Sequence, residues 1–133
     1  MSALQQLRTM TTIVADTGDL AAIERLKPID ATTNPSLITK ALIHPDNEAV
    51  LSETMSRHRD DIDAVIDELT IQIGCNILSL IEGRVSTEVD ARLSYDTQAT
   101  IDKALAFMEA YQKAGIDSER VLIKMAATWQ GIE

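Results

Sequence analysis

Four short β-branched segments, separated by stretches with helical apolar spacing, constrain this chain more than any other feature. The first, Thr11-Thr12-Ile13-Val14-Ala15, ends at the turn cluster Asp16-Thr17-Gly18-Asp19. Ile29 to Thr33 forms the second. Arg84 to Val89 alternates, with Val85, Thr87 and Val89 facing one way and Ser86 and Glu88 the other. Val121-Leu122-Ile123-Lys124-Met125-Ala126 is the fourth. Between them, Asp19 suits the cap of a helix carrying Leu20, Ile23 and Leu26 until Pro28 stops it. Asn34 precedes Pro35, and a helix over Ser36 to Ile43 follows. Asp60 or Asp61 caps a long helix in which Ile62, Val65, Ile66, Leu69, Ile73, Asn76, Ile77 and Leu80 recur at helical spacing, with Gly83 just past its end. Asp96 caps another, with Ile101, Leu105, Met108 and Tyr111 inward and Gly115 terminating it. Thr128 to Glu133 begins one more helix. Residues 44–61, rich in charge, read as a surface excursion beside an extra helical segment.

The order β-α-β-α-β-α-β predicts parallel strands joined by helical crossovers. An open doubly wound sheet and a (β/α) barrel both satisfy it. No Gly-rich phosphate fingerprint follows the first strand, which counts against a nucleotide-binding sheet. The 133 residues suffice for one domain, residues 1–133, with one core.

Charge excludes one large class of function. Twelve Lys and Arg against 21 Asp and Glu give a net charge of -9, so nucleic acid, which needs a basic surface, is a poor partner. A single anionic sugar phosphate remains compatible, because local cations or helix N-termini hold one phosphate against the global field. No apolar run reaches membrane-spanning length and the N-terminus lacks signal-peptide character, so a membrane partner is not expected and the cytoplasm is the expected location. The one cysteine, Cys75, sits in an apolar helical stretch without a basic neighbour and reads as a buried structural thiol. His44 and His58 are too far apart in sequence to form a close ligand pair, and no metal site is expected.

Asp16, Asn34, Glu88 and Lys124 fall at strand C-termini, the end of a parallel α/β barrel where catalytic groups collect. Each has a plainer alternative. Asp16 suits a turn, Asn34 a pre-proline turn, and Glu88 a structural bridge to Arg84 or Arg92. Lys124 lies within an apolar run, where an unpaired ammonium is costly. A lysine that loses its proton there is a nucleophile toward carbonyls; the alternative is a buried stem whose head reaches solvent or pairs with Glu88.

Asp30-Ala31-Thr32-Thr33-Asn34-Pro35-Ser36-Leu37-Ile38 resembles the first signature of transaldolases, and Leu122-Ile123-Lys124-Met125-Ala126-Ala127-Thr128-Trp129-Gln130-Gly131-Ile132 resembles the second, which carries the Schiff-base lysine. Val14 to Asp19 and Gly83 to Ser94 are similar to two further blocks. All four occur in family order, and they are closer to transaldolases of the pentose phosphate pathway type than to the shorter fructose-6-phosphate aldolases. The resemblance implies a (β/α)8 barrel of which this chain holds about the first four strands, since a closed barrel takes roughly 250 residues.

It also implies transfer of a dihydroxyacetone unit from sedoheptulose 7-phosphate or fructose 6-phosphate to glyceraldehyde 3-phosphate or erythrose 4-phosphate. Lys124 would be the imine-forming amine, Asp16 the general base for C3–C4 cleavage, and Glu88 the proton shuttle of carbinolamine dehydration. Asn34 and Thr32 would bind substrate. No cofactor is implied, since the lysine serves as the electron sink. The break after Gly131-Ile132-Glu133, inside an incipient helix, leads to the expectation of a truncated chain lacking the family's phosphate-binding serine and arginines. The competing expectation is a catalytically silent half-barrel, a folding or self-associating unit, with a homodimer closed edge to edge as its partner arrangement.

Overall fold

The computed structural model describes residues 2–59 and 61–133. The strands are β1 Val14–Asp16, β2 Asp30–Thr32, β3 Val85–Glu88 and β4 Val121–Lys124. All pairings are parallel, and the sheet order is β1-β2-β3-β4. A doubly wound sheet reverses its direction of growth so that helices cover both faces. Here every step moves the same way, and right-handed crossovers then place the helices that connect the strands on one face. This is the wall of a (β/α) barrel, and the topology decides between the two architectures that the element order left open.

The helices are α1 Ala3–Arg8, α2 Leu20–Leu26, α3 Pro35–Leu42, α4 Glu48–His58, α5 Ile62–Leu78, α6 Thr97–Lys113 and α7 Trp129–Ile132. Their starts follow from local chemistry. The carboxylates of Asp19, Asp61 and Asp96 each accept the amide N–H three residues on, at 2.9–3.0 Å, satisfying a donor the helix cannot. The alternative cap Asp60 lies outside the described residues. Pro35 opens α3 at its first turn behind the Asn34 cap. Lys27 closes α2 in the left-handed region at φ 47°, one residue before Pro28. Gly115, at φ +80°, follows the end of α6.

Several expectations change. α1 was not anticipated; its Arg8 guanidinium donates to the carbonyls of Leu26 and Lys27, the open end of α2. The surface excursion at residues 44–61 is mostly exposed, and within it residues 45–58 form a 3-10 turn and α4. α5 ends at Leu78, five residues before Gly83. Gly83 is a glycine for another reason: a Cβ there would sit 1.9 Å from Asp30 Oδ1 and 2.6 Å from the Ile29 carbonyl, where the chain passes β2 on its way into β3.

The core lies between sheet and helices. Ala15, Ala31, Val85 and Val121 from the strands meet Ile23, Ile38, Ile77, Phe107 and Tyr111 from α2, α3, α5 and α6. Each of the valine, isoleucine and phenylalanine side chains contributes on the order of 1.5–3 kcal/mol by leaving water, and the alanine methyls less. The single apolar stripes expected on α5 and α6 are only partly right. α5 touches β3, α4, α6, α3 and α2, so it buries Thr70, Ile71, Gly74 and Leu78 as well, while Ile62 and Ile66 at its exposed start stay in solvent. On α6, Thr100, Phe107 and Tyr111 point inward. Lys103 on one flank reaches Asp67 of α5 at 2.6 Å, which leaves Ile101 and Leu105 on the opposite flank, exposed. Cys75 is half-buried rather than enclosed, and burial pushes its thiol pKa up. Among the described residues no helix is long and apolar enough to cross a membrane.

α4 is held to α5 by charge. Glu68 meets Arg57, and its Oε2 lies 2.5 Å from His58 Nε2. The hydrogen bond from His58, assisted by Arg57, holds the Glu68 carboxyl below its ordinary 4.5. A carboxyl depressed by folding stabilises fully above its unfolded value and stops doing so as pH falls through the folded one. The α4 amides should therefore exchange faster as pH drops below about 4.5 once intrinsic rates are normalised. Glu68→Gln should produce that loosening already at neutral pH, by roughly two- to five-fold, the worth of a partly exposed pair. Equal protection factors in parent and variant would remove the role assigned to Glu68.

Candidate active site

The face of the sheet away from the helices carries one side chain in two from each strand. The register aligns Asp16 with Thr32, Thr32 with Ser86, Ser86 with Leu122, and Glu88 with Lys124. Alternation puts all of these on the bare face, because their neighbours Ala15, Ala31, Val85, Thr87 and Val121 are buried under the helices. A polar row thus runs across the sheet near its C-terminal end: Asp16, Thr32, Ser86, Glu88 and Lys124. Of the residues singled out in sequence, four lie in this row. Ser86 was expected to share a face with Glu88, and only the register shows it between Thr32 and Leu122.

Lys124 Nζ lies 2.7 Å from Glu88 Oε2, an ion pair in which the lysine side chain is 41% exposed and the carboxylate 27%. Of the two readings of Lys124, the structure shows the head paired with Glu88 and not an amine enclosed by Leu122, Ile123 and Met125. Those residues are neighbours in sequence, but Ile123 packs toward the core on the other face and Leu122 is exposed beside the lysine. The alternative bridges expected for Glu88 do not form. Arg84 instead lies 3.9 Å from Asp30. Arg92 binds Asp90 and Asp63 at 2.5 and 2.7 Å, and holds the Asp90 carboxyl below its usual value through that hydrogen bond.

Asn34 sits just beyond β2, where its Oδ1 accepts from the Leu37 amide at 3.0 Å. Asn34 is thus the N-cap of α3, on extended backbone, rather than a turn residue, and its Nδ2 is a separate donor. Thr33 is buried on the helix side, and its hydroxyl donates to the Ser86 carbonyl at 3.0 Å, fastening the end of β2 to β3. Asp16 ends β1 and is exposed, followed by Thr17, whose hydroxyl accepts from the Asp19 amide at 3.1 Å.

At the C-terminal ends of β2 and β3, a cavity of about 450 Å³ opens between α3, α5 and α6. Asn34 and Glu88 lie on its sheet side, and Ile66, Arg92, Lys103 and Phe107 on its helix side. Its two cations are engaged by carboxylates of the same wall, Arg92 by Asp63 and Asp90 and Lys103 by Asp67. Chemically, the row offers an amine with a carboxylate in proton-exchange contact, and a second carboxylate at its far end.

A family model described as Transaldolase/Fructose-6-phosphate aldolase matches residues 13–133. The chain is 51% identical over 140 aligned residues to a transaldolase of Methylococcus capsulatus, covering 98% of this chain and 43% of that protein. It is 52% identical over 133 residues to a transaldolase of Methylibium petroleiphilum, covering 99% and 42%. The chain therefore spans less than half the length of these curated relatives, in keeping with a sheet of four strands rather than a closed barrel. With nearly all of its residues matched, at about one identity in two, the chain belongs to the transaldolase/fructose-6-phosphate aldolase family.

Proposed function

We propose that this chain carries the imine-forming half of a transaldolase active site. The observation that supports it most is the 2.7 Å contact between Lys124 Nζ and Glu88 Oε2 on the same face as Asp16 and Thr32. An ammonium cannot attack a carbonyl, and Glu88 is within reach to take its proton. The neutral amine adds to C2 of a ketose phosphate, sedoheptulose 7-phosphate or fructose 6-phosphate. Glu88 returns the proton to the carbinolamine hydroxyl, which leaves as water and gives an iminium. Asp16 accepts the C4 hydroxyl proton as the C3–C4 bond breaks. The bonding pair moves into the iminium to give an enamine, and an aldose phosphate departs. The enamine then adds to the aldehyde of glyceraldehyde 3-phosphate or erythrose 4-phosphate, and hydrolysis frees Lys124. Asn34 Nδ2 and the Thr32 hydroxyl serve to hold the dihydroxyacetone unit. The lysine acts as electron sink, so the cycle calls for no cofactor, and its setting is sugar phosphate metabolism in the cytoplasm.

The test is reductive trapping. Fructose 6-phosphate with borohydride should add a stable mass to the peptide containing Lys124, and Lys124→Ala should abolish it. Undiminished trapping in that variant would assign the amine to another lysine, such as Lys27 or Lys40.

A second reading has its own support. Both sheet edges are open, and apolar side chains line the bare face and the flank near β4: Val14 is 50% exposed, Leu122 43% and Trp129 78%. Such surfaces favour a silent half-barrel that associates with a second copy. The absence of any trapped adduct, together with a stable oligomer, would favour it.

A further inference from the structure

Directly behind Glu88, on the helix side of β3, lies a polar contact that the chemistry above does not use. Thr87 Oγ1 and the Tyr111 hydroxyl are 2.6 Å apart, and both side chains are fully buried. The other inward residues of that segment, Val85 and Val89, are apolar. The tyrosine reaches this position only because α5 has no side chain there. A Cβ on Gly74 would stand 1.8 Å from the Tyr111 hydroxyl oxygen. Burial pushes the Tyr111 phenol up to about 12, so it remains a neutral hydroxyl at any physiological pH.

Stability alone does not account for this arrangement. Replacing both partners of a buried hydrogen bond by apolar groups of similar shape can be nearly neutral, and a Val–Phe pair would fill nearly the same space. Support for the strand does account for it. β2 pairs with β3 only through Val85 and Ser86, and the last bond between them runs from the Thr33 amide to the Ser86 carbonyl. Beyond Ser86, β3 is held laterally by β4 alone, through the register Glu88↔Lys124 and the bond from the Val89 amide to the Lys124 carbonyl. From behind, its polar tether at that level is the Thr87–Tyr111 contact.

We propose that Tyr111, seated by Gly74, is a positioning residue: by holding Thr87 it fixes the end of β3 so that the adjacent Glu88 carboxylate meets Lys124. The proposal rests on Glu88 and Lys124 being the working pair, but its test does not require turnover.

The experiment is competitive acetylation of the 133-residue chain with trace acetic anhydride, read by peptide mass spectrometry. Lys113, exposed and paired with Glu109 on α6, serves as the internal reference. Glu88→Gln sets the rate of a Lys124 released from its carboxylate. In Thr87→Val/Tyr111→Phe, Lys124 should label about three- to five-fold faster than in the parent, as expected for a half-exposed pair that has lost its alignment. The thermal midpoint should stay within a few degrees, as expected for a shape-conserving replacement. A merely structural pair would shift the midpoint and leave the labelling ratio of the folded chain unchanged. Parent-like Lys124 labelling in the double variant, with Glu88→Gln raised, would overturn the proposal. If the double variant fails to fold, Tyr111→Phe alone carries the same comparison. Failure of borohydride trapping in the parent, with the labelling result intact, would count against the reaction and not against the positioning.

Discussion

Asp16→Ala should leave imine formation at Lys124 largely intact and slow C3–C4 cleavage by roughly 10²–10⁴, the usual worth of a positioned general base. The measurement needs a closed barrel, obtained by fusing residues 1–133 to the portion of the Methylococcus capsulatus transaldolase beyond its match. The reason for the split effect is spatial. Asp16 lies on β1 and Lys124 on β4, at opposite edges of the sheet, whereas Glu88 is in direct contact with the lysine. Glu88→Gln should therefore impair the earlier step, because an amide neither accepts the Lys124 proton nor returns it to the departing hydroxyl. Single-turnover mixing followed by borohydride quench separates the two. The Asp16 variant should accumulate the trapped hexose adduct, and the Glu88 variant should form it slowly. Identical accumulation at identical rates would remove the division of labour.

The 133-residue chain tested by itself should show turnover far below that of an ordinary enzyme and should associate with itself. Two physical terms act together. The edges β1 and β4 present unpaired backbone groups, and the bare face and α6–α7 flank expose Val14, Leu122, Leu105, Trp129 and Ile132. Parallel pairing of β4 with β1 of a second copy, and the reverse, would satisfy both edges about a two-fold axis. The second term concerns the substrate. The resemblance implies phosphate-binding arginines that the row Asp16, Thr32, Ser86, Glu88 and Lys124 does not supply. Each charge-assisted bond lost to a phosphate is worth about 1.5–3 kcal/mol, and without the phosphate anchor the reacting carbons are also poorly placed. Analytical ultracentrifugation beside a coupled assay checks both parts. A monomer turning over fructose 6-phosphate and erythrose 4-phosphate at ~1–10³ per second would overturn them.

Much of this protein was set by sequence-local physics. Asp19, Asp61 and Asp96 fix their helix starts because a carboxylate three residues before an unpaired amide captures it in any context. The strands are legible as β-branched runs between turn formers, and alternation in β3 gives the faces of Val85, Ser86, Thr87 and Glu88 correctly. The placement of Asp16, Glu88 and Lys124 at strand ends follows from the same pattern, and the blocks around Asn34 and Lys124 carry the family.

Three things required the fold. The direction of sheet growth, and with it the barrel wall, depends on pairings such as Ala31 with Val85, 54 residues apart in sequence, which no local window contains. The buried faces of α5 and α6 depend on how many neighbours each helix meets. Periodicity reports one stripe, so it brought Ile66, Ile101 and Leu105 inward and overlooked Thr70, Gly74 and Phe107. The environment of Lys124 was left open in sequence between an enclosed amine and a head paired with Glu88, and the fold decided for the pair. An apolar run in sequence suggests an enclosed ammonium, but a strand sends alternate side chains to opposite faces. The sheet therefore brings Lys124 beside Glu88, a residue 36 positions away, and leaves its flanking isoleucine on the other side. Charge pairing across a sheet is a property of register, and register is decided only when the strands meet.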